Sequence, residues 1–119
     1  IMTIKLYGIA SCGTVKKAKK WLDARGVAYE WSDFRKEPPA KAQVESWTTA
    51  FGIKKMRNTS GGAYRALGDE KKAWDDSSWT KAFSDDAMLI KRPIIERDGK
   101  PVMGGFRGDD TVIATLLID

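Results

Sequence analysis

A single cysteine stands at position 12 of a 119-residue chain that contains no histidine. It falls where Leu6-Tyr7-Gly8-Ile9-Ala10-Ser11 gives way to Gly13-Thr14-Val15-Lys16-Lys17. Thr3–Tyr7 reads as a strand, Gly8 breaks it, and a helical pattern starts near Gly13. A thiol at the first turn of a helix faces backbone N–H groups with no partner inside the helix, and the positive end of the macrodipole. Both favour the thiolate, the reactive form of cysteine. The structural alternative is a small buried residue, because free cysteine is among the most buried types.

The missing residue types narrow the chemistry. With no histidine, a Cys-His or Ser-His pair is excluded, and a thiolate/imidazole metal site is not expected. One cysteine cannot close an internal disulfide, which fits a reducing cytoplasm. It also rules out a C-x-x-C dithiol mechanism. Any disulfide chemistry at Cys12 must recruit its second thiol from another molecule.

Apolar residues make up 42% and charged residues 31% of the chain, a balance that suits a globular fold. No apolar run approaches the roughly 20 residues of a membrane span. Ile4-Lys5-Leu6 is already strand-like, so no signal peptide is expected there, and Ile1, which precedes Met2, is set aside. A cytoplasmic protein with no membrane partner is the expectation.

The net charge of +5 and pI of about 9.4 permit nucleic-acid binding. Much of the charge lies in Lys16, Lys17, Lys19 and Lys20, which share one arc of a helix. Val15, Ala18, Trp21 and Leu22 occupy the opposite arc. That pattern reads as the solvated face of an amphipathic helix in preference to a nucleic-acid patch.

The elements that must position Cys12 follow from periodicity. Thr14–Arg25 reads as a helix ended by Gly26. Val27–Asp33 alternates, with Val27, Tyr29 and Trp31 on one face, and reads as a second strand. Strand, helix, strand is the βαβ unit of a parallel pair. Pro39 can open a helix over Ala40–Phe51, stopped by Gly52. Ala63–Leu67 and Ser77–Asp85 read as further helices beyond the polar loop Arg57–Gly62. Asp98-Gly99-Lys100, flanked by Ile94–Arg97 and Pro101–Met103, is a hairpin signal. Asp109–Ile118 carries the apolar face of a last helix, with Asp109 or Asp110 as its cap. The expected fold class is α/β: a thioredoxin-like, mixed four-stranded sheet flanked by helices, with a helical insertion. The expected organisation is a single domain over 2–119, its mostly helical insert spanning 39–88.

Several segments together resemble the ArsC/Spx/YffB family, nearest to its YffB-like branch. They are Leu6-Tyr7-Gly8-Ile9, Cys12-Gly13-Thr14-Val15-Lys16-Lys17-Ala18, Trp21-Leu22-Asp23 and Tyr29 to Asp33. Met56-Arg57-Asn58-Thr59-Ser60-Gly61, Leu89-Ile90-Lys91-Arg92-Pro93-Ile94-Ile95 and Gly105-Phe106 complete the match. The resemblance implies a thioredoxin-like fold and a nucleophilic cysteine at Cys12. In arsenate reductases of this type the cysteine attacks arsenate, three arginines hold the oxyanion, and glutathione with glutaredoxin closes the cycle. Arg92 matches one of those arginines. Asn58, with Arg57 beside it, stands at a second, and Gly104-Gly105, followed by Arg107, at the third. These departures turn the expectation from arsenate toward glutathione-linked thiol chemistry.

The resemblance also implies a cis Arg92–Pro93 bond beside the cysteine loop, with Pro93 offering backbone groups to a peptide-like substrate. Arg92 would then stabilise the thiolate and grip a carboxylate or oxyanion; otherwise it forms a surface salt bridge. The first functional expectation is a thiol-dependent reductase with Cys12 as nucleophile. It has no bound cofactor, glutathione serves as co-substrate, and glutathione or glutaredoxin are its partners. Arg92, Pro93, Asn58, Arg57 and Arg107 form the substrate-binding set. The alternative is a non-enzymatic, Spx-like regulator that binds RNA polymerase. Such regulators commonly carry C-x-x-C in this loop, and Val15 stands where the second cysteine would be.

Overall fold

A computed structural model describes residues 2–112 and 115–116. The chain forms two compact units, one from the segments up to Glu37 and from Arg92 onward, the other from Pro38–Lys91.

The first unit holds the sheet. Strands β1 (Ile4–Gly8), β2 (Glu30–Asp33), β3 (Ile94–Arg97) and β4 (Lys100–Gly104) lie in the order β2-β1-β3-β4. β1 is parallel to β2 and antiparallel to β3, and β3 is antiparallel to β4. Helix α1 (Gly13–Ala24) links the parallel pair. This is the thioredoxin-like, mixed four-stranded sheet with flanking helices that the sequence predicts. Gly8, expected to break the strand, is instead its last residue. It pairs with Asp33, and its carbonyl accepts from the Phe34 N–H at 2.7 Å.

α1 buries Val15, Ala18, Trp21 and Leu22, the apolar arc read from the sequence. Ala18, Trp21 and Leu22 pack with Ile4, Leu6 and Ile95 of the sheet in one apolar cluster. The helix ends on Gly26, at φ 66°, a left-handed conformation that costs glycine little. There the Gly26 N–H donates to Asp23 O at 3.1 Å and the Val27 N–H to Leu22 O at 3.0 Å. The helix cap thus takes the Val27 N–H, and β2 begins at Glu30 rather than at Val27 as the alternation suggested. On the opposite face Tyr7 stacks on Phe34 and donates its hydroxyl to the buried Glu96 at 2.8 Å.

The hairpin turns on Asp98 and Gly99, at φ 52° and 78°. Lys100, expected in the turn, already pairs with Arg97. Asp98 also ties the turn to the start of β1, accepting from the Thr3 N–H at 2.9 Å and donating to Thr3 O at 2.8 Å. Pro101 sits on the edge strand, where a missing N–H removes no ladder bond to a further strand. Of the predicted last helix, α6 (Asp110–Val112) is described, with Asp109 accepting from the Thr111 N–H at 3.0 Å. Val112 and Leu116 are buried in the α1 cluster; Ile113, Leu117 and Ile118 lie outside the described residues.

The second unit is helical: α2 (Lys41–Phe51), α3 (Ile53–Met56), α4 (Gly62–Ala66) and α5 (Asp76–Asp85), with 3-10 turns at Asp69–Ala73 and Ala87–Leu89. Pro39 does not open α2. Ala40 is the N-cap, and Gln43 reaches back to accept its N–H at 2.9 Å. Asp75 caps α5, accepting from the Ser78 N–H at 2.8 Å. Val44, Trp47, Met56, Trp79, Phe83, Leu89 and Ile90 are buried. α3 and the two 3-10 turns escape the sequence reading because each is too short to show a period.

Candidate active site

Cys12 is the N-cap of α1, in extended conformation at φ −73° and ψ 125°. Its own N–H donates to Ile9 O at 3.2 Å, which folds the loop back before the helix begins. The thiol is half-buried. Burial pushes its pKa up. The N–H groups of Val15 and Thr14 in the first turn of α1, and the Arg92 side chain with its charge, favour the thiolate and outweigh that push. The net effect holds the thiol below its ordinary value. These are the interactions expected to hold a thiolate: N–H groups of a first helical turn and a neighbouring cation.

Arg92 stands two residues before β3, and the β1–β3 pairing places it beside the end of β1. A Cβ on Gly8 would lie 3.8 Å from Arg92 Cβ. The Arg92–Pro93 bond is cis. Pro93 is buried, and its carbonyl accepts from the Gly105 N–H at 2.8 Å.

Arg107 is exposed in the loop after β4, its charge facing Asp109, which helps hold that carboxyl below its usual range after the larger effect of the Thr111 hydroxyl. Lys17 of α1 borders the same loop, because a Cβ on Gly108 would lie 3.4 Å from Lys17 Cε. Arg57 and Asn58 belong to the second unit. The Arg57 guanidinium lies over the Trp79 ring at 5.1 Å, and its buried Nε meets no hydrogen-bond acceptor among the described residues. Arg57 also bridges Ile90 in an isolated antiparallel pair. Asn58 donates its N–H to Leu89 O at 2.9 Å and accepts the Ser60 hydroxyl at 3.2 Å.

The lysine run divides in the structure. Lys16, Lys17 and Lys20 are exposed, but the Lys19 ammonium sits 3.6 Å from the Trp31 ring centroid, a cation–π contact across to β2. Among the described residues, no group of three or more His, Cys, Asp or Glu side chains could hold a metal ion. No helix there is long and apolar enough to cross a membrane.

A family model described as the ArsC family matches residues 7–112, which include Cys12 and Arg92. The chain belongs to the ArsC family. The solved structure of the YFFB (PA3664) protein superposes with a TM-score of 0.86 at 32% identity, covering 95% of this chain and 98% of that one. The structure of a possible arsenate reductase from Streptococcus mutans gives a TM-score of 0.80 at 34% identity, over 93% and 97% of the two chains. A further relative, the global transcriptional regulator Spx of Streptococcus agalactiae, is 29% identical over 110 residues, covering 90% of this chain and 79% of its own. ArsC-family relatives thus include both reductases and regulators by name.

Two results follow from the Cys12 environment. Alkylation of Cys12 plotted against pH should show a midpoint below the roughly 8.5 of a free thiol. Folding stability should track the same titration. The folded thiol loses its proton at lower pH than the unfolded one, so the stabilisation is fully present above about 8.5 and is lost as pH falls through the folded-state pKa. Urea midpoints from mildly acidic conditions to about pH 9 should therefore rise in the parent protein and stay flatter in Cys12→Ser.

Proposed function

We propose that this ArsC-family protein is a cytoplasmic monothiol reductase that works with glutathione. The observation that carries the reading is the setting of Cys12: a half-buried thiol at the N-cap of α1, where the first-turn N–H groups and the Arg92 guanidinium favour the thiolate. The Cys12 thiolate attacks one sulfur of a disulfide or glutathione adduct. A new S–S bond forms at Cys12, the old S–S bond breaks, and the departing thiolate leaves with the electron pair. A thiolate from a second molecule then attacks the mixed disulfide and frees Cys12. The chain's single cysteine requires that second step to be intermolecular. Glutathione or glutaredoxin supplies the resolving thiol, and Arg92 orients an anionic group of the incoming molecule. A lone, unbridged thiol suits a reducing cytoplasm.

The Spx relative favours a second reading, a regulator that binds RNA polymerase. Against it, Val15, at the second-cysteine position of a C-x-x-C switch, is a fully buried core residue.

The test is mass spectrometry of the folded protein after oxidised glutathione near neutral pH. A single glutathione adduct that is absent in Cys12→Ser, and is released by reduced glutathione, supports the reductase. No adduct on the folded protein, with ready adduct formation once unfolded, sinks it.

A further inference from the structure

Gly8 is buried at the end of β1, under the loop that carries Cys12. A Cβ built on it would lie 2.6 Å from Val15 Cγ2, 3.7 Å from Trp31 Cη2 and 3.8 Å from Arg92 Cβ. The first distance is far inside van der Waals contact; the other two are ordinary. Val15 and Arg92 are also two of the residues whose donors favour the Cys12 thiolate. One missing side chain thus lies where the two converge.

We propose that Gly8 is a positioning residue for Cys12: its bare Cα lets Val15 and Arg92 close on the end of β1, and that closure keeps the first turn of α1, with Cys12 at its N-cap, close to Arg92. Val15 is fully buried, and a β-branched side chain in a helix has one strongly preferred rotamer. It cannot turn its methyl away from an added carbon. The first turn of α1 must move instead, carrying the Val15 N–H and Cys12 away from Arg92, which is anchored on β3. Gly8 touches no substrate and acts only through these neighbours. The proposal rests on the reading of Cys12 as the reacting thiol.

The test is the pH dependence of Cys12 alkylation in the full chain, read beside thermal melts. Gly8→Ala should raise the thiol pKa by about one unit, slowing alkylation below neutral pH about tenfold. Adding Val15→Ala removes the methyl that the new carbon strikes, and should bring most of the lowered pKa back. Val44→Ala, in the second unit, is the comparator: it should lower the melting temperature and leave the thiol pKa in place. A folded Gly8→Ala protein with the parent pKa overturns the proposal. So does a Gly8→Ala/Val15→Ala double variant whose pKa stays raised. If Gly8→Ala alone does not fold, the double variant decides by the same criterion. A parent protein whose thiol titrates at the ordinary value overturns the active-site reading itself, and the proposal with it.

Discussion

Arg92→Ala is expected to slow mixed-disulfide formation at Cys12 about tenfold and to raise the thiol pKa, without unfolding the protein. The Arg92 side chain, as a hydrogen-bond donor and as a charge, favours the Cys12 thiolate. A hydrogen bond to a charged group contributes about 1.5–3 kcal/mol, and the half-buried setting of Cys12 puts this one at the low end. Each 1.4 kcal/mol or so is tenfold in an equilibrium constant. Arg92→Lys should recover the charge and only part of the rate, because an ammonium lacks the planar fork of the guanidinium. Arg107→Ala should change the rate less, since Arg107 is exposed and its charge faces Asp109. The measurement is the rate of glutathione adduct formation for each variant, with thermal melts as control. If Arg92→Ala reacts like the parent while Cys12→Ser is inert, Arg92 serves the fold and the anion-binding step must be given up.

The largest expected loss of stability comes from Leu22→Ala. Leu22 is fully buried and packs in the cluster that joins α1 to Ile4 and Leu6 of β1 and to Ile95 of β3. Its carbonyl also accepts the Val27 N–H that closes the helix. Truncating a buried leucine removes apolar contact and leaves a cavity, at a cost of about 2–5 kcal/mol. That is a large part of the ~5–15 kcal/mol that holds a domain folded. Leu22→Met keeps the volume and should cost under about 1.5 kcal/mol. Urea unfolding followed by tryptophan fluorescence would measure both. A Leu22→Ala midpoint equal to the parent's would mean that α1 is not held to the sheet through this side chain.

The thiol's place at a helix start was legible because local signals carry it. Cys12 follows a strand-like run and precedes Val15, Ala18, Trp21 and Leu22 at helical spacing, and the structure makes it the N-cap of α1. The hairpin was legible for the same reason, since Asp98-Gly99 adopts positive φ at both positions of a tight turn. Boundaries read less well where a tertiary or capping contact competes with periodicity. The helix cap draws Val27 out of β2. Gly8 stays in β1 because pairing with Asp33 and the bond from Phe34 outweigh its weak strand preference. Lys19, one of four lysines on a single arc, folds onto Trp31, a partner that the helix's own sequence does not contain.

The site divides along the same line. By residue type and order alone, the sequence excludes a histidine-assisted mechanism and an internal disulfide, and it sets one thiol before an amphipathic helix. The sequence match also named Arg92 as its companion. That Arg92 comes beside the end of β1 is decided by the β1–β3 register, which brings together two segments far apart in the chain. The fold also ties the Pro93 carbonyl to the Gly105 N–H and closes Val15 onto Gly8. Local propensity acts over a few residues and leaves its mark in composition and spacing. The closeness of Val15 and Arg92 to the end of β1 depends on strand pairing and on the space left by a missing side chain, and only the packed tertiary structure sets those.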